Sequence, residues 1–220
     1  MHALIDQAEN TSGKVQPPIT ALLLAAGLGS RFQGHKMLHP VTTLNGKTLP
    51  MALASANQVS PYVHQVLCIV QPEDDALKTQ LEQAGYTTLD NPEYKSGMAS
   101  SIVTGVSNIP AEHHIMVCLG DMPFIQGITF ETLLREFYEC GKEKITRPIW
   151  IDDQSPLNES ATHALGHPAI FPSRTRNALL RLKGDNGAKS VMEQYGVQLV
   201  AVDDKGVTQD VDHLDMLAAL

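Results

Sequence analysis

An apolar run, "ITALLLAA" at residues 19–26, breaks into "GLGSRFQGHK", where Gly27, Gly29 and Gly34 surround Arg31 and are followed by Lys36. Glycine lets a backbone approach a polyanion and point successive N–H groups at it. Arg31 can fork across two phosphate oxygens, and Lys36 supplies a mobile point charge. These residues suit the binding of a phosphate chain. Asp121, in "CLGDMPF", is a carboxylate of the kind that holds a divalent cation against phosphates, with turn capping as its competing role. In the tail "TQDVDHLDML", Asp210 and Asp212 alternate, so on an extended segment they share one face. Either could be a second ligand; solvated acids are the competing reading.

Two standard phosphate loops fail letter by letter. The G-x-G-x-x-G pattern fits Gly27 and Gly29 but requires glycine where Phe32 stands. The Walker A pattern fits Gly29 and Gly34, but His35 displaces the lysine to Lys36 and Met37 replaces the hydroxyl residue. "GKT" at residues 46–48 lacks its first glycine, which is Val41. A serine-hydrolase elbow is missing, and the histidines have no zinc-ligand spacing. His113 and His114 read as surface residues, and Cys68 and Cys118 as small core residues.

The elements that must carry these groups follow from periodicity. "ITALLLAA", "HQVLCIV" and "HIMVCLG" are short apolar runs that read as buried strands, and "VQLVAV" as a later one. Helices are expected over 48–60, 72–85, 98–108, 128–141, 173–184 and 187–196, with a closing helix over 212–220. Strands alternating with helices predict an α/β fold: one three-layer, Rossmann-like domain over residues 19–220 with a mostly parallel sheet. Residues 1–18 read as a polar extension, and 141–171 as an extended, turn-rich excursion across the site. Ligands of such sheets bind beyond the carboxyl ends of the strands, which sets the glycine loop and Asp121 at one crevice.

Composition narrows the partners. Hydrophobic residues make up 43% of the 220, enough for a sizeable core, and the net charge of −8 argues against charge-driven nucleic-acid binding. Three cysteines without a C-x-x-C pair argue against a disulfide framework. The first residues lack a basic leader, and no apolar run is long enough to span a bilayer. The expectation is a cytoplasmic protein with neither nucleic acid nor membrane as partner.

Taken together, "LAAGLGSRFQGHKML", "NPEYKSGMASSI", "GDMP", "GHPAIF", "GDNGAKS" and "DVDHLDML" resemble the MobA-like nucleotidyltransferases, and among them the molybdenum cofactor cytidylyltransferase branch. The resemblance implies a nucleotide-diphospho-sugar transferase type of fold. It also implies transfer of CMP from CTP to the phosphate of molybdopterin with release of pyrophosphate, Mg²⁺ as cofactor, and a molybdoenzyme maturation chaperone as a candidate partner. Carried over by position, Leu24, Ala25, Ala26, Gly27 and Gly29 would meet the nucleotide. Arg31 and Lys36 would bind the triphosphate and act in catalysis with Asp121. Asp121 and Asp212 would hold the metal, with Asp210 the alternative to Asp212. Gly97, Met98, Ser100 and Ser101 would contact the nucleoside, and Gly166, His167 and Pro168 would lie on the acceptor side. Gln33, Leu214 and Asp215 depart from the family pattern. The "LAAG" sequence, with alanine at position 26, leans towards CTP. The alternatives are GTP or another phosphorylated acceptor, a non-catalytic nucleotide-binding module, and a dinucleotide-dependent oxidoreductase, which Phe32 disfavours.

Overall fold

A computed structural model of the chain describes residues 18–27, 36–140, 142–150, 164–185 and 187–212. The first strand, β1 (Ile19–Leu24), is buried along its whole length because it lies at the centre of the sheet. Its side chains alternate between two cores: Ala21 and Leu23 join one, Leu22 and Leu24 the other.

A small antiparallel hairpin, β2 (Pro40–Thr42) and β3 (Thr48–Pro50), leads into α1 (Met51–Val59). Then come β4 (Gln65–Val70), α2 (Asp75–Gln83), β5 (Thr87–Asp90), α3 (Met98–Ser107), β6 (His114–Leu119) and α4 (Gly127–Glu139). The last third holds β7 (Ile145–Trp150), β8 (Ala164–Leu165), β9 (Ala169–Phe171), α5 (Arg176–Leu179), α6 (Lys189–Tyr195) and β10 (Val197–Val202). The main sheet runs β10-β7-β9-β6-β1-β4-β5, with β8 paired to β7. Pairs β1–β4, β1–β6, β4–β5 and β7–β10 are parallel; β8 and β9 run antiparallel to their neighbours.

Side chains from α1, α2 and α4 fill one core and those from α3, α5 and α6 the other, so the α/β fold is the expected three-layer, mostly parallel one. Local signals act as read. Asp74 accepts the N–H of Leu77 at 3.1 Å and caps α2, and Gly85, at φ +90°, follows its end. Gly105 lets α3 lie close on β1, since a Cβ there would come within 2.5 Å of Leu22 Cδ2.

Several expectations are corrected. Residues 48–50 pair in the hairpin, so that helix starts at Met51. Over 173–184 the chain makes a 3-10 turn and only the four-residue α5, because it must bend back to lay Gly184 against α3. Strand β5, in "YTTLD", escaped a reading that sought long apolar runs; it is a half-exposed edge strand. The expected closing helix, beyond Asp212, and residues 1–17 lie outside the described residues. Among the described residues, no helix is long and apolar enough to cross a membrane.

His113 and His114 are buried rather than exposed. Both side chains have a polar partner that makes this tolerable: His113 Nδ1 sits 2.8 Å from Thr20 Oγ1, and His114 Nδ1 accepts the N–H of Ser173 at 3.0 Å. Burial, helped by the charge of Lys142, pushes His114 down to about 4 from its ordinary 6.5. The folded state therefore refuses a proton that the unfolded chain takes up. Stability should fall as pH drops from 6.5 towards 4, by about 3 kcal/mol from this histidine alone. Urea unfolding at stepped pH measures it, and His114→Gln should flatten this part of the curve.

Candidate active site

Three separated segments converge at the carboxyl ends of β1 and β6. Gly120 follows β6 and donates its N–H to Leu24 O at 3.0 Å, which fixes Asp121 beside the end of β1. Ser55 of α1 donates to Gly120 O at 2.9 Å from the other side. A Cβ on Gly120 would lie 3.0 Å from Met37 Sδ and 3.1 Å from Leu24 O, so the site is packed tightly from beneath. The tail enters through Val211, whose N–H donates to Asp121 O at 2.9 Å. This bond places Asp210 and Asp212 on either side of Val211, which is itself buried among Val41, Met51, Ala54 and Phe124.

Lys36 opens a short 3-10 turn and points its ammonium between two carboxylates. Its Nζ donates to Asp121 Oδ2 at 2.7 Å and to Asp212 Oδ1 at 2.8 Å. Oxygens of Asp121, Asp210 and Asp212 all lie within 4.8 Å of one another. Burial alone would lower the Lys36 pKa, but the hydrogen bonds and charges of Asp121 and Asp212 outweigh it and hold the ammonium above its usual range. Asp121 is also shifted upward, by burial first, with Lys36 opposing and Asp210 adding repulsion. The two shifts are consistent: the ammonium faces a group of carboxylates, whereas Asp121 is buried beside another carboxylate, Asp210. A cluster of hard carboxylate oxygens is the donor set that suits Mg²⁺ or Mn²⁺, so the residues fit such an ion.

The residues expected on the nucleoside side lie where β4, β5 and the start of α3 meet. Ala25 and Ala26 are buried at the end of β1, and Ala25 N–H donates to Ile69 O at 2.9 Å. Gln71, which the sequence reading did not single out, donates from Nε2 to Gly27 O at 2.8 Å and to Ala26 O at 3.3 Å. Gly97 has φ +111°, and a Cβ there would come within 2.6 Å of Gly184 O. The "GDNGAKS" segment packs on the start of α3: Ala99 N–H donates to Gly184 O at 3.2 Å, and Met98 N–H to Asp185 Oδ1 at 3.3 Å. Asn91, which stood in the sequence only as the first residue of "NPEYKSGMASSI" and without a role of its own, hydrogen-bonds Ser100 and Ser101 and is fully buried.

Of the residues expected on the acceptor side, Gly166 packs on Val207, with no room for a Cβ, and His167 N–H donates to Val207 O at 2.8 Å. The His167–Pro168 bond is cis. Arg147, also unread in the sequence, reaches from β7 to donate to Gly166 O at 2.6 Å. Burial, with the Arg147 charge beside it, holds His167 down to about 4, so the imidazole is neutral near pH 7. Gly29, Arg31 and the glycine loop between Gly27 and Lys36 lie outside the described residues. "GKT" at residues 46–48 spans a hairpin turn and the start of β3, which accounts for its failure as a phosphate loop.

Residues 21–199 match the family model for the MobA-like NTP transferase domain. The chain belongs to that family. A curated relative from Paenarthrobacter nicotinovorans, nicotine blue oxidoreductase, is 28% identical over 93% of this chain and 97% of its own. The bifunctional protein GlmU of Listeria monocytogenes is 32% identical over 66% of this chain, which spans only 31% of that relative. Among solved structures, Rv0371c of Mycobacterium tuberculosis superposes with a TM-score of 0.71 at 23% identity, covering 94% of this chain and 98% of that one. A second structure of Rv0371c, in complex with manganese, superposes with a TM-score of 0.70 at 20% identity, covering 93% and 98%. At these identities the structural likeness is one of fold.

Gly97→Ala provides a test of how the MobA-like site is held together. It combines a left-handed φ with backbone contact at Gly184, so it should lower stability by roughly 1–3 kcal/mol and displace the 184–185 segment from α3. Gly46→Ala, at φ +78° with open space around it, is the control, and its loss should be smaller. Thermal unfolding of both variants decides the comparison.

Proposed function

We propose that this MobA-like protein transfers CMP from CTP to the phosphate of a molybdopterin-type acceptor and releases pyrophosphate. The observation that carries the reading is the Lys36 ammonium set between Asp121 and Asp212 at the carboxyl ends of β1 and β6. A protein that only retained a nucleotide would have little use for so acidic a cluster beside phosphates. The preference for CTP rests on the "LAAG" sequence, with Ala26 buried where the guanylyl branch carries glycine.

In this reading an oxygen of the acceptor's phosphate attacks the α-phosphorus of CTP in line. The new P–O bond forms as the bond to the bridging oxygen of pyrophosphate breaks. The acceptor phosphate is already an anion near neutral pH, so no strong base is needed. Lys36, protonated throughout the physiological range, lies against the triphosphate with Arg31 and offsets the charge that gathers on the departing pyrophosphate. Asp121 and Asp212, with Asp210 at hand, would hold Mg²⁺, which supplies charge neutralisation between phosphate oxygens. Gly166, His167 and Pro168 form the acceptor wall, with His167 neutral. A maturation chaperone that takes up the product is part of the same proposal, as is a cytoplasmic location.

A second reading has an observation of its own, since the relative matched along nearly its full length bears the name of an oxidoreductase. It predicts consumption of a reduced nicotinamide dinucleotide, whereas transfer predicts pyrophosphate. Each nucleoside triphosphate, incubated with Mg²⁺, molybdopterin and the protein, separates them. CTP should release pyrophosphate, and Asp121→Asn should slow release by ~10²-fold or more. Release with GTP alone would overturn the cytidylyl assignment. Oxidation of the reduced dinucleotide without any pyrophosphate would establish the second reading.

A further inference from the structure

Asn91 stands at the carboxyl end of β5, where its own N–H donates to Val70 O at 2.9 Å and so continues the pairing of β4 with β5. Its side chain is completely buried, yet four neighbouring polar groups bond to it: Glu93 N–H, Ser100, Ser101 and, at 3.5 Å, Thr104 Oγ1. The N–H of Glu93 donates to Oδ1 at 3.0 Å, and a backbone N–H can only donate, so that end of the amide must be the oxygen. The amide nitrogen therefore faces α3, donating to Ser100 Oγ at 2.9 Å and Ser101 Oγ at 3.0 Å.

Both serine oxygens thus act as acceptors, and each hydroxyl proton must go elsewhere. Ser100 donates its proton to Gly97 O at 2.8 Å. Ser101 makes no second hydrogen bond among the described residues, so its proton meets no acceptor there. A buried hydroxyl whose oxygen already accepts from Asn91 and whose donor is unspent is left to give its proton to a ligand.

We propose that Asn91 is a positioning residue that makes Ser101 an obligate hydrogen-bond donor to an acceptor atom of the nucleotide's base. The assignment rests on the nucleotidyl-transfer reading, which places the nucleoside at Gly97, Met98, Ser100 and Ser101. Asn91 never touches the ligand; it fixes which way the serine hydroxyls point. Replacing its amide by a carboxylate would remove the donor, turn the Ser101 proton inward and silence the hydrogen bond while keeping the same shape.

The test is a double-mutant cycle on CTP affinity, measured by calorimetry with Asn91→Asp, Ser101→Ala and the double variant. Ser101→Ala should weaken binding by ~3–10-fold, the worth of one hydrogen bond, and Asn91→Asp by a similar factor. The double variant should be no weaker than Ser101→Ala alone, because both changes remove one interaction. In turnover the loss should fall on KM for CTP and leave kcat within about twofold. Additive losses, or undiminished binding by Ser101→Ala, overturn the proposal. Should the buried carboxylate of Asn91→Asp prevent folding, Ser101→Ala and its rescue by Ser101→Thr decide alone: tight binding must return with the hydroxyl. Failure of the unaltered protein to bind any nucleoside triphosphate would instead overturn the transfer reading, and this inference with it.

Discussion

One ammonium ties the site together. Lys36 follows the glycine loop, Asp121 follows β6, and Asp212 arrives from the tail; their side chains meet at Nζ, through contacts of 2.7 Å and 2.8 Å. Lys36 is 8% exposed, and so hidden a charge is tolerated only when paired. Removing it would leave the largely buried Asp121 without compensation, the situation that costs about 3–5 kcal/mol when a buried pair is broken. Oxygens of Asp121, Asp210 and Asp212 cluster within 4.8 Å of one another around this ammonium. Clustered hard oxygens of this kind are the donor set through which we propose that the site takes up a divalent ion.

The sheet supplies the rigidity that this interaction needs. Strand β1 pairs in parallel with β6 on one side and β4 on the other, so the ends of all three strands lie at one level. Beneath them Leu22 and Leu24 anchor one core while Ala21 and Leu23 anchor the other. The backbone bonds from Gly120 to Leu24 and from Val211 to Asp121 then transfer that rigidity to the carboxylates. Few side chains are asked to find their own place, which favours a site defined by backbone position.

How much of this was legible in the sequence depended on how far each signal reached. Fully apolar strands such as "ITALLL" and "VLCIV" announced themselves, because a central parallel strand is buried on both faces. The alternation of Asp210 and Asp212 told which face they share, and the structure turns both carboxylates to the same place. Strand β5 was invisible because an edge strand has no need to be apolar throughout. The roles of Asn91, Gln71 and Arg147 were illegible for another reason. Their meaning comes from partners distant in sequence: Gly166 accepts from Arg147 and Gly27 from Gln71, and neither pairing leaves a periodic trace. His113 and His114 misled because polar residues before a strand usually face water. Here Thr20 and the Ser173 backbone supply partners that no local pattern announces.

We propose that the carboxylates around Lys36 hold a divalent ion together with a nucleoside triphosphate. Mn²⁺ binding followed by electron paramagnetic resonance addresses it without any turnover. The unaltered protein should take up about one Mn²⁺ in the presence of CTP, and Asp121→Asn and Asp212→Asn should each weaken that uptake by ~10-fold or more. Equal Mn²⁺ uptake by all three proteins would place the ion elsewhere and rule out these carboxylates as its ligands.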